Sequence, residues 1–530
     1  MRYPCDAVAV TAVAPCVEPV ERSRGRWILA ACILGSSLAF IDGTVVNVAL
    51  PNLQTALHAS ISQLQWVVES YALFLAALLL VGGSLGDLYG RRLIFALGVL
   101  IFAAASAWCG LAANVQQLIL ARAVQGVGAA LLVPGSLAII SASFPEKERG
   151  RAIGTWSGFT GITTAIGPVL GGWLVQHLSW RWVFFINLPI AVAVVAISFL
   201  RVPESRAESS RHKLDIAGAL LATTGLGSLI YGLIEAPNYG WSDPLVWGAL
   251  AGSALLMAAF LVLESRRSSL LPLLPMELFR SRNFSGANLL TLYLYAALGA
   301  VLFFLPFNLI QVQGYTPTQA GAANLPFIVI LFLLSRWSGG LVARFGPRLP
   351  LAASSAVAGA GFLLFARPGV GGSYWATFFP ATVVLGLGLA GVVAPLTTTV
   401  MNAVTQEKAG VASGVNNAVS RVASLLAIAV FGIVALHSFS AALNKNLEGA
   451  GLPESAKMQI QEQENRLTQI AIPQELAPQQ QQAARRAVDV SFVGAFRRVM
   501  WLSALLAGLS AVVAWRFLQN EVGPASDRRP

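Results

Sequence analysis

Long apolar stretches recur along the whole chain, and they limit what it can fold into more than any other feature. Fourteen of them have about the twenty residues that an α-helix needs to cross a hydrocarbon core of about 30 Å. They lie at about 27–48, 64–83, 93–113, 118–142, 153–175, 182–200, 216–234, 245–263, 284–310, 320–342, 351–365, 375–400, 411–436 and 499–517. The stretch at 351–365 reaches this length only with its small flanking residues. Only 11% of the 530 residues are charged, against about a quarter in soluble proteins. The chain is therefore predicted to be an all-α multi-pass membrane protein with fourteen transmembrane helices.

The basic residues predict which side of the membrane each loop faces. Lys and Arg are concentrated in the N-terminal tail and in alternate loops, whereas the short loops of the opposite side hold only Arg181 and Arg367. Since Lys and Arg favour cytoplasmic loops, we expect both termini in the cytoplasm and the protein in the plasma membrane, which is the inner membrane if the cell is bacterial. The net charge of +11 is then explained by orientation beside anionic lipids, and no nucleic-acid partner is expected.

No residue pattern in the sequence indicates an enzyme. The four histidines are scattered in loops, and no metal-ligand cluster, phosphate loop or disulfide framework is visible. We therefore expect no catalytic residues, no metal site and no cofactor.

Two copies of one hairpin show that the chain contains an internal repeat. Segments 83–92 and 339–348 share the frame G-x-L-x-x-x-(aromatic)-G-x-R, and glycine motifs at 126–130 and 150–154 recur 260 residues later. This offset pairs spans 1–6 with spans 9–14 and leaves spans 7 and 8 as an inserted hairpin. Parallel six-span halves are typical of transporters whose substrate site lies between two bundles near the membrane midplane.

The repeat predicts a division of the chain into bundles, a linker and tails. We expect a cytoplasmic tail at 1–26, an N-terminal six-helix bundle at 27–200, a linker with the two extra helices and basic cytoplasmic loops at 201–283, a C-terminal six-helix bundle at 284–518 and a cytoplasmic tail at 519–530. The second bundle includes an external loop at 437–495, with a polar run of helical character at 458–470. This loop is interpreted either as a cap or docking element, for which a periplasmic adaptor is one candidate partner, or as a tolerated solvated insertion.

Three ionisable residues lie within the predicted spans at one level, in the outer third of the membrane. Asp42 is 15 residues into span 1, and Glu69 and Arg122 are each 5 residues past the outer start of their spans. Because an ionisable group inside a span costs at least about 2.5–3.5 kcal/mol on insertion scales, its default interpretation is functional. We interpret Asp42 as a proton carrier and Arg122 as the partner that tunes or replaces its proton, with a static ion pair as the alternative. Glu69 is grouped with them for proton coupling, either as an outer-vestibule carboxylate or as a residue solvated near the headgroups.

Small and polar residues inside the spans give further candidate sites. Span 5 is predicted to be a seam or hinge, because proline bends a helix and glycines permit close helix approach. Its small residues are Gly161, Gly167, Pro168, Gly171 and Gly172. The candidates for lining a substrate cavity are Asn47, Trp66, Tyr71, Gln125, Asn308, Gln311, Asn324, Asn416, Asn417 and Arg421. The alternatives are interhelical hydrogen bonding for the amides and snorkelling to the interface for Arg421.

Several motifs together resemble one family. They are IDGTVVNVALP at 41–51, the hairpin at 83–92, LxxxRxxQGxG at 118–128, the glycines of 161–172, WRWVFFINLP at 180–189 and GYTPTQAG at 314–321. In this order they are similar to the fourteen-span drug:proton antiporters of the major facilitator superfamily. The resemblance implies two six-helix bundles in parallel repeat with an inserted two-helix hairpin. It also implies proton-driven export of hydrophobic or amphipathic compounds by alternating access, as in multidrug efflux and drug resistance.

The resemblance also implies roles for individual residues. Asp42 and Arg122 would form the proton-coupling pair, and the first hairpin would latch the cytoplasmic side in the outward-facing state through Asp87 with Arg91 and Arg92. The residues of the two gating hairpins are Gly83, Gly86, Asp87, Gly90, Arg91, Arg92, Gly346 and Arg348.

Two departures from the family pattern change what the resemblance implies. Leu88 replaces a residue that is often basic in the gating loop, which would weaken one contact of the latch. Spans 9–14 hold no Asp or Glu in their apolar cores, which narrows the expected substrate. Some multidrug relatives use such an acid to hold dications, so we expect a neutral, zwitterionic or monocationic lipophile, with the proton and membrane lipids as further partners. A dedicated exporter of one metabolite, antibiotic, siderophore or lipid is the alternative within transport. A channel or a receptor is the alternative of another class, and the asymmetric coupling charges argue against a channel.

Overall fold

The computed structural model describes residues 22–206, 215–266, 276–404 and 409–520, and the regular structure within these ranges is helical. The first part contains α1 (Arg22–Leu57), α2 (Ile61–Tyr89), α3 (Arg91–Leu111), α4 (Val115–Ser143), α5 (Glu146–His177), α6 (Trp182–Phe185) and α7 (Asn187–Arg201). It is followed by α8 (Ile216–Tyr239) and α9 (Pro244–Arg266). The second part contains α10 (Arg282–Phe307), α11 (Pro317–Ala322), α12 (Leu325–Ser338), α13 (Leu341–Phe345), α14 (Arg348–Phe365), α15 (Tyr374–Asn402), α16 (Ala409–Glu448), α17 (Glu454–Gln461) and α18 (Pro478–Phe517). Shorter turns are the 3-10 helices Met276–Arg280 and Glu464–Gln469 and the π-helix Asn308–Val312.

The described helices agree with the predicted number of membrane spans. Thirteen helical segments in the described ranges are long and apolar enough to cross a membrane. The remaining expected span is α5, whose 32 residues extend about 48 Å at 1.5 Å per residue. The prediction of an all-α membrane protein is confirmed, and its count of fourteen spans is consistent with the described helices.

The internal repeat is visible as one backbone contact that occurs in both halves. A Cβ on Gly128 of α4 would lie 2.5 Å from the backbone nitrogen of Phe102 in α3. A Cβ on Gly388 of α15 would lie 2.4 Å from the backbone nitrogen of Ala358 in α14. The helix pairs α3–α4 and α14–α15 therefore pack at the same close distance, which only glycine permits.

The helices form two bundles with the extra pair at their seam. In the first bundle, α4 lies against α2 and α3, and α1 lies against α5 and α7. In the second bundle, α14 lies against α15 and α18, and α10 lies against α16 and α18. Helices α8 and α9 pack on each other, and α8 also contacts α2 and α16. The inserted pair thus touches one helix of each bundle.

The two ends of the membrane region differ in the segments that they carry. We call the end with segments 83–92 and 339–348 the hairpin face, and the end with segment 449–477 the cap face. The loop expected at 437–495 is largely helix, because α16 continues to Glu448 and α18 begins at Pro478. Each has 40 residues and is about 60 Å long, roughly twice the hydrocarbon thickness. Hydropathy detects only the apolar part of such a helix, whereas Gln, Ala and Arg continue it beyond the membrane.

Candidate functional site

A buried polar cluster in the first bundle contains the predicted coupling pair. Arg122 of α4 donates from Nη1 to Oδ2 of Asp42 on α1. Gln125, one turn further along α4, donates from Nε2 to Oδ1 of Asp42 at 2.9 Å. Asp42 is 0% exposed and Arg122 is 1% exposed. Because an unpaired buried charge is strongly destabilising, these two charges depend on each other.

The rest of the Arg122 side chain is held by the same bundle. Its Nε donates to the backbone oxygen of Val67 at 3.1 Å, and Nη1 also donates to Oε1 of Gln125 at 2.7 Å. The guanidinium carbon lies 4.2 Å from the ring centroid of Tyr71 and 5.9 Å from that of Phe184, which adds cation–π attraction. Tyr71 and Gln125 are therefore placed in the coupling cluster rather than in the cavity for which they were predicted.

Two further residues bind to the cluster, and neither was predicted from the sequence. Asn187 of α7 donates from Nδ2 to Oδ1 of Asp42 at 3.4 Å and to Oγ of Ser106 at 3.0 Å. Ser106 of α3 is also 3.3 Å from Nε2 of Gln125. Both Asn187 and Ser106 are 0% exposed. The available signal was that each is a polar side chain in an apolar span, and Asn187 also lies in the motif at 180–189.

Glu69 on α2 is placed differently from both expectations for it. It is 0% exposed, and neither carboxylate oxygen has a hydrogen-bond partner within the described residues. On the same face of α2, Gln65 donates from Nε2 to the backbone oxygen of Ile428 in α16 at 2.6 Å. Glu69 therefore lies in the seam between the bundles and is neither solvated nor open to a vestibule. The expected exposure of Glu69 is wrong for this conformation, because depth in a span does not tell which way a side chain faces. Its role in proton coupling stays a prediction.

Small residues bring α5 and α11 into backbone contact near the cap face. A Cβ on Gly172 of α5 would lie 2.2 Å from the backbone oxygen of Pro317. A Cβ on Gly321 of α11 would lie 2.1 Å from the backbone oxygen of Pro168. Real Cβ atoms do not approach so closely, so any larger residue would push the helices apart. This α5–α11 seam closes the space between the bundles at the cap face.

Two other glycines of α5 face α1 within the first bundle. A Cβ on Gly167 would lie 2.1 Å from Oγ1 of Thr44, and a Cβ on Gly171 would lie 2.3 Å from Cγ2 of Val45. Gly161 belongs to α5 as well, but its surroundings lie outside the described part of the chain. The described glycines thus set the distance of α5 from α1 on one side and from α11 on the other.

A central cavity of about 440 Å³ lies between the bundles. Its walls come from α1 and α5 of the first bundle and from α10, α12 and α15 of the second. Two of the predicted cavity residues, Asn47 and Asn324, line it, together with Thr44, Thr164 and mostly apolar side chains. Because Asp42 and Thr44 belong to the same helical turn of α1, the coupling cluster and the central cavity share one helix.

A lateral cavity of about 520 Å³ lies beside the inserted hairpin. It is lined by α2, α8, α9, α10 and α16, and its only polar wall residues within the described chain are Ser285 and Asn288. The lateral cavity is near the hairpin face, because Ser285 and Asn288 lie in the first turns of α10.

Other predicted cavity residues make helix-to-helix hydrogen bonds instead. Trp66 of α2 donates from Nε1 to Oε1 of Glu235 in α8 at 2.9 Å, which ties the inserted pair to the first bundle. Asn416 of α16 donates to Oγ1 of Thr291 in α10 at 2.7 Å. Asn416 therefore makes the interhelical hydrogen bond that was the alternative to lining a cavity.

The remaining candidates outside the cap face lie apart from the central cavity. Asn308 is buried and accepts a hydrogen bond from Gln313 in its own turn at 3.1 Å. Asn417 is exposed and donates to the backbone oxygen of Ser413 at 3.0 Å. Arg421 is half-buried on α16.

A polar network at the cap face joins the two bundles. Gln54 of α1 donates from Nε2 to the backbone oxygen of Arg466 at 3.0 Å and accepts at Oε1 from Gln311 at 3.2 Å. Thr468 donates to Oε1 of Gln311. The helical run expected at 458–470 is interrupted here, since Leu467 has a φ of 50° and is 1% exposed. The 449–477 segment, which we call the cap, thus packs on both bundles, as the cap interpretation expects.

The first hairpin pairs its charges within the first bundle. Arg91 donates from Nε to Oδ1 of Asp87 at 2.9 Å. Glu204 accepts from the backbone nitrogen of Arg92 at 3.0 Å and forms an ion pair with its side chain at 3.6 Å. Gly90 has a φ of +121°, and a Cβ there would lie 2.8 Å from the Glu204 carboxyl carbon. Within the described residues, the hydrogen bonds and ion pairs of these charges stay inside the first bundle. The latch itself stays a prediction.

The other hairpin glycines serve the turn geometry. Gly83 is in ordinary contact with α4, and the backbone oxygen of Gly86 accepts the hydrogen bond that ends α2 at 3.0 Å. In the second hairpin, Gly346 has a φ of +71°, which favours glycine. The Arg348 guanidinium carbon lies 4.1 Å from the ring centroid of Trp515.

Comparison with known proteins agrees with this architecture. The sequence profile described as Major Facilitator Superfamily matches residues 32–428. The tetracenomycin C resistance and export protein of Streptomyces glaucescens is 37% identical over 424 residues, which are 78% of this chain and 77% of that protein. The multidrug resistance protein Stp of Mycobacterium tuberculosis (strain CDC 1551 / Oshkosh) is 38% identical over 432 residues, 80% of this chain and 78% of that protein.

A solved structure has the same fold at low sequence identity. A bacterial homolog of the human lysosomal transporter Spinster, in an inward-facing and unoccupied conformation, has a TM-score of 0.66 and 20% identity over 94% of this chain and 99% of that one. The paired bundles, the glycine seams and the profile match have one explanation, which the motifs had predicted: the chain belongs to the major facilitator superfamily.

Proposed function

We propose that this protein exports hydrophobic or amphipathic compounds in exchange for protons, by alternating access between the two bundles. The observation that carries the proposal is the buried Asp42–Arg122 pair on α1 and α4, one turn from the wall of the central cavity. The relatives support the substrate class, since they include proteins named for tetracenomycin C export and for puromycin and lincomycin resistance. A dedicated exporter of one such compound is the alternative, because relatives of both kinds occur.

The geometry suggests how a proton would be linked to the cavity. With Asp42 ionised, Arg122, Gln125 and Asn187 all donate hydrogen bonds to it. Adding a proton to that carboxylate would remove the charge attraction to Arg122 and turn one of its acceptor oxygens into a hydroxyl donor, so that the three donors would be bound less strongly. Because α1 also supplies Thr44 and Asn47 to the cavity wall, such a rearrangement would change the site that holds the substrate.

The conformation supports alternating access. The cap face is closed by the α5–α11 seam and by the Gln54 network, whereas the charges of the first hairpin are paired within their own bundle. If the hairpin face is cytoplasmic, as the distribution of Lys and Arg predicts, this is an inward-facing state. Rocking of the bundles would break the α5–α11 seam and allow the hairpins to close.

The test is proton-driven export by the Asp42→Asn variant in liposomes with an imposed pH gradient. We expect export of a lipophilic dye to fall to the level of empty liposomes, because asparagine cannot carry the proton. Asp489→Asn is the matched control, since Asp489 pairs with Arg485 on α18 away from the cavity. Export by Asp42→Asn at the control rate would refute the proposal. Proton release measured over a compound panel with the native protein would separate a broad exporter from a dedicated one.

A further inference from the structure

Arg421 is a membrane-embedded cation that the proposed coupling mechanism does not use. It lies 12 residues after the start of α16 at Ala409, which is about 18 Å along the helix and near the middle of a hydrocarbon core of about 30 Å. The side chain is half-buried. This depth differs from the positions near span ends at which arginine snorkels to the interface, which was the alternative expected for Arg421.

Arg421 has no counterion in the described part of the chain. No hydrogen bond or ion pair joins its guanidinium to any residue there, although Arg122 has both. Asp42 is already engaged by Arg122 and two amides. Glu69 lies on the facing helix α2 but leaves both oxygens unbonded. An unpaired charge at this depth is costly, so its default interpretation is functional.

The neighbours of Arg421 border both cavities. Ala418 and Val422 on α16 line the lateral cavity. Ser424, three residues further along, donates to the backbone oxygen of Tyr295 at 3.3 Å, and Tyr295 lines the central cavity. Arg421 is not itself a wall residue of either cavity, but Ala418 and Val422 flank it on α16, so a molecule in the lateral cavity could place one polar group beside it.

We propose that Arg421 is an anion subsite, which binds the acidic group of a transported lipophile whose apolar body fills the adjoining cavity. The inference rests on the proposed export function and makes its substrate class more specific. The sequence predicted a neutral, zwitterionic or monocationic lipophile. The anion subsite instead favours a lipophilic organic acid, with a carboxylate or an ionised phenol. Arginine suits this role because it stays charged and offers several donors to one anion. An anionic lipid headgroup fits less well, since headgroups lie at the membrane surface and Arg421 lies near its middle.

The test compares two probes that differ only in charge, 1-pyrenebutyrate and 1-pyrenebutanamide. Their dissociation constants are measured by energy transfer from the tryptophans of the full-length protein in neutral detergent, and their export is measured in phosphatidylcholine liposomes with a pH gradient. We expect the native protein to bind the acid at least tenfold more tightly than the amide. Arg421→Gln should remove this difference without changing the affinity for the amide, and Arg421→Lys should retain part of it. Arg498→Gln is the matched control, because Arg498 is exposed on α18.

Several outcomes would overturn the anion subsite. Equal loss of both probes in Arg421→Gln, with a lower unfolding temperature, would mean that Arg421 only supports the fold. Recovery of acid binding in an Arg421→Gln, Glu69→Gln double variant would mean that Arg421 is a state-dependent partner of Glu69. Acid binding in detergent that requires added phosphatidylglycerol would indicate a lipid site. If the native protein exports neither probe nor any dye of the panel, the proposed export function is wrong. Charge-dependent binding of the acid by that protein would still support the anion subsite.

Discussion

Replacing Gly172 by alanine should destabilise the closed cap face by a predictable amount. The added Cβ would lie 2.2 Å from the backbone oxygen of Pro317 and 2.7 Å from its carbonyl carbon, so α5 and α11 must separate by about 1 Å to reach an ordinary contact. Overpacking of this kind costs about 1–3 kcal/mol. The clash exists only while the α5–α11 seam is closed, so this energy should shift the equilibrium toward the cap-open state by about 5- to 150-fold.

The shift can be measured by the reactivity of a cysteine in the central cavity. Asn47 lines that cavity, so Asn47→Cys in a background without native cysteines reports when the cavity opens. A membrane-impermeant thiol reagent is applied to the cap side of sealed vesicles, and the labelling rate is compared between variants. We expect Gly172→Ala to label at least fivefold faster than the parent, and Gly321→Ala to behave in the same way because its Cβ would meet Pro168.

The matched control is Gly154→Ala in the same helix. A Cβ at Gly154 meets no atom within 4 Å, so this variant changes helix propensity equally but leaves the seam alone. Equal labelling rates for Gly172→Ala and Gly154→Ala, in variants of equal thermal stability, would refute the idea that backbone contact holds the cap face closed.

Two further predictions test other contacts. Glu69→Gln should leave the protein folded and make the rate of cysteine labelling at position 47 less dependent on pH. The reason is that an ionised carboxylate without hydrogen-bond partners is costly to bury in the closed seam. An unchanged pH dependence would contradict this role. Glu204→Ala should speed hydrogen exchange of the amides of Arg92 and Leu93 by about fivefold, because both donate to this carboxylate at 3.0 and 3.2 Å and such caps stabilise a helix by about 1 kcal/mol. Glu448→Ala, at the exposed end of α16, is the control that should leave those amides protected.

The sequence was sufficient for the architecture because membrane spans and repeats leave strong linear signals. Apolar length located the spans, and the recurrence of one hairpin related the bundles. The meeting of Asp42 and Arg122 could also be anticipated, because both depth and family motifs placed them at one level. The predicted roles in transport remain predictions, but the contact between the two side chains is present.

What the sequence did not reveal is the rotation of each helix about its axis. Glu69 has the depth that was expected of it, yet it faces α16 and the bundle seam rather than the coupling cluster. Trp66 was expected in a cavity and bonds to Glu235 of the inserted pair. These orientations are decided by tertiary packing. When a helix is apolar on most of its faces, its sequence shows no periodic pattern from which the orientation could be predicted.

The cap has a practical consequence for a protein that is otherwise embedded in lipid. Because α16 and α18 continue without interruption from the membrane to the two ends of the cap, a binder raised against α17 would bind a segment that is tied at both ends to the second bundle. In this conformation, with the cap face closed, Arg466 of the cap also accepts a hydrogen bond from Gln54 of the first bundle. A nanobody that covers this junction would select one conformation, provide a fiducial mass for electron microscopy and inhibit the cycle without having to enter the membrane.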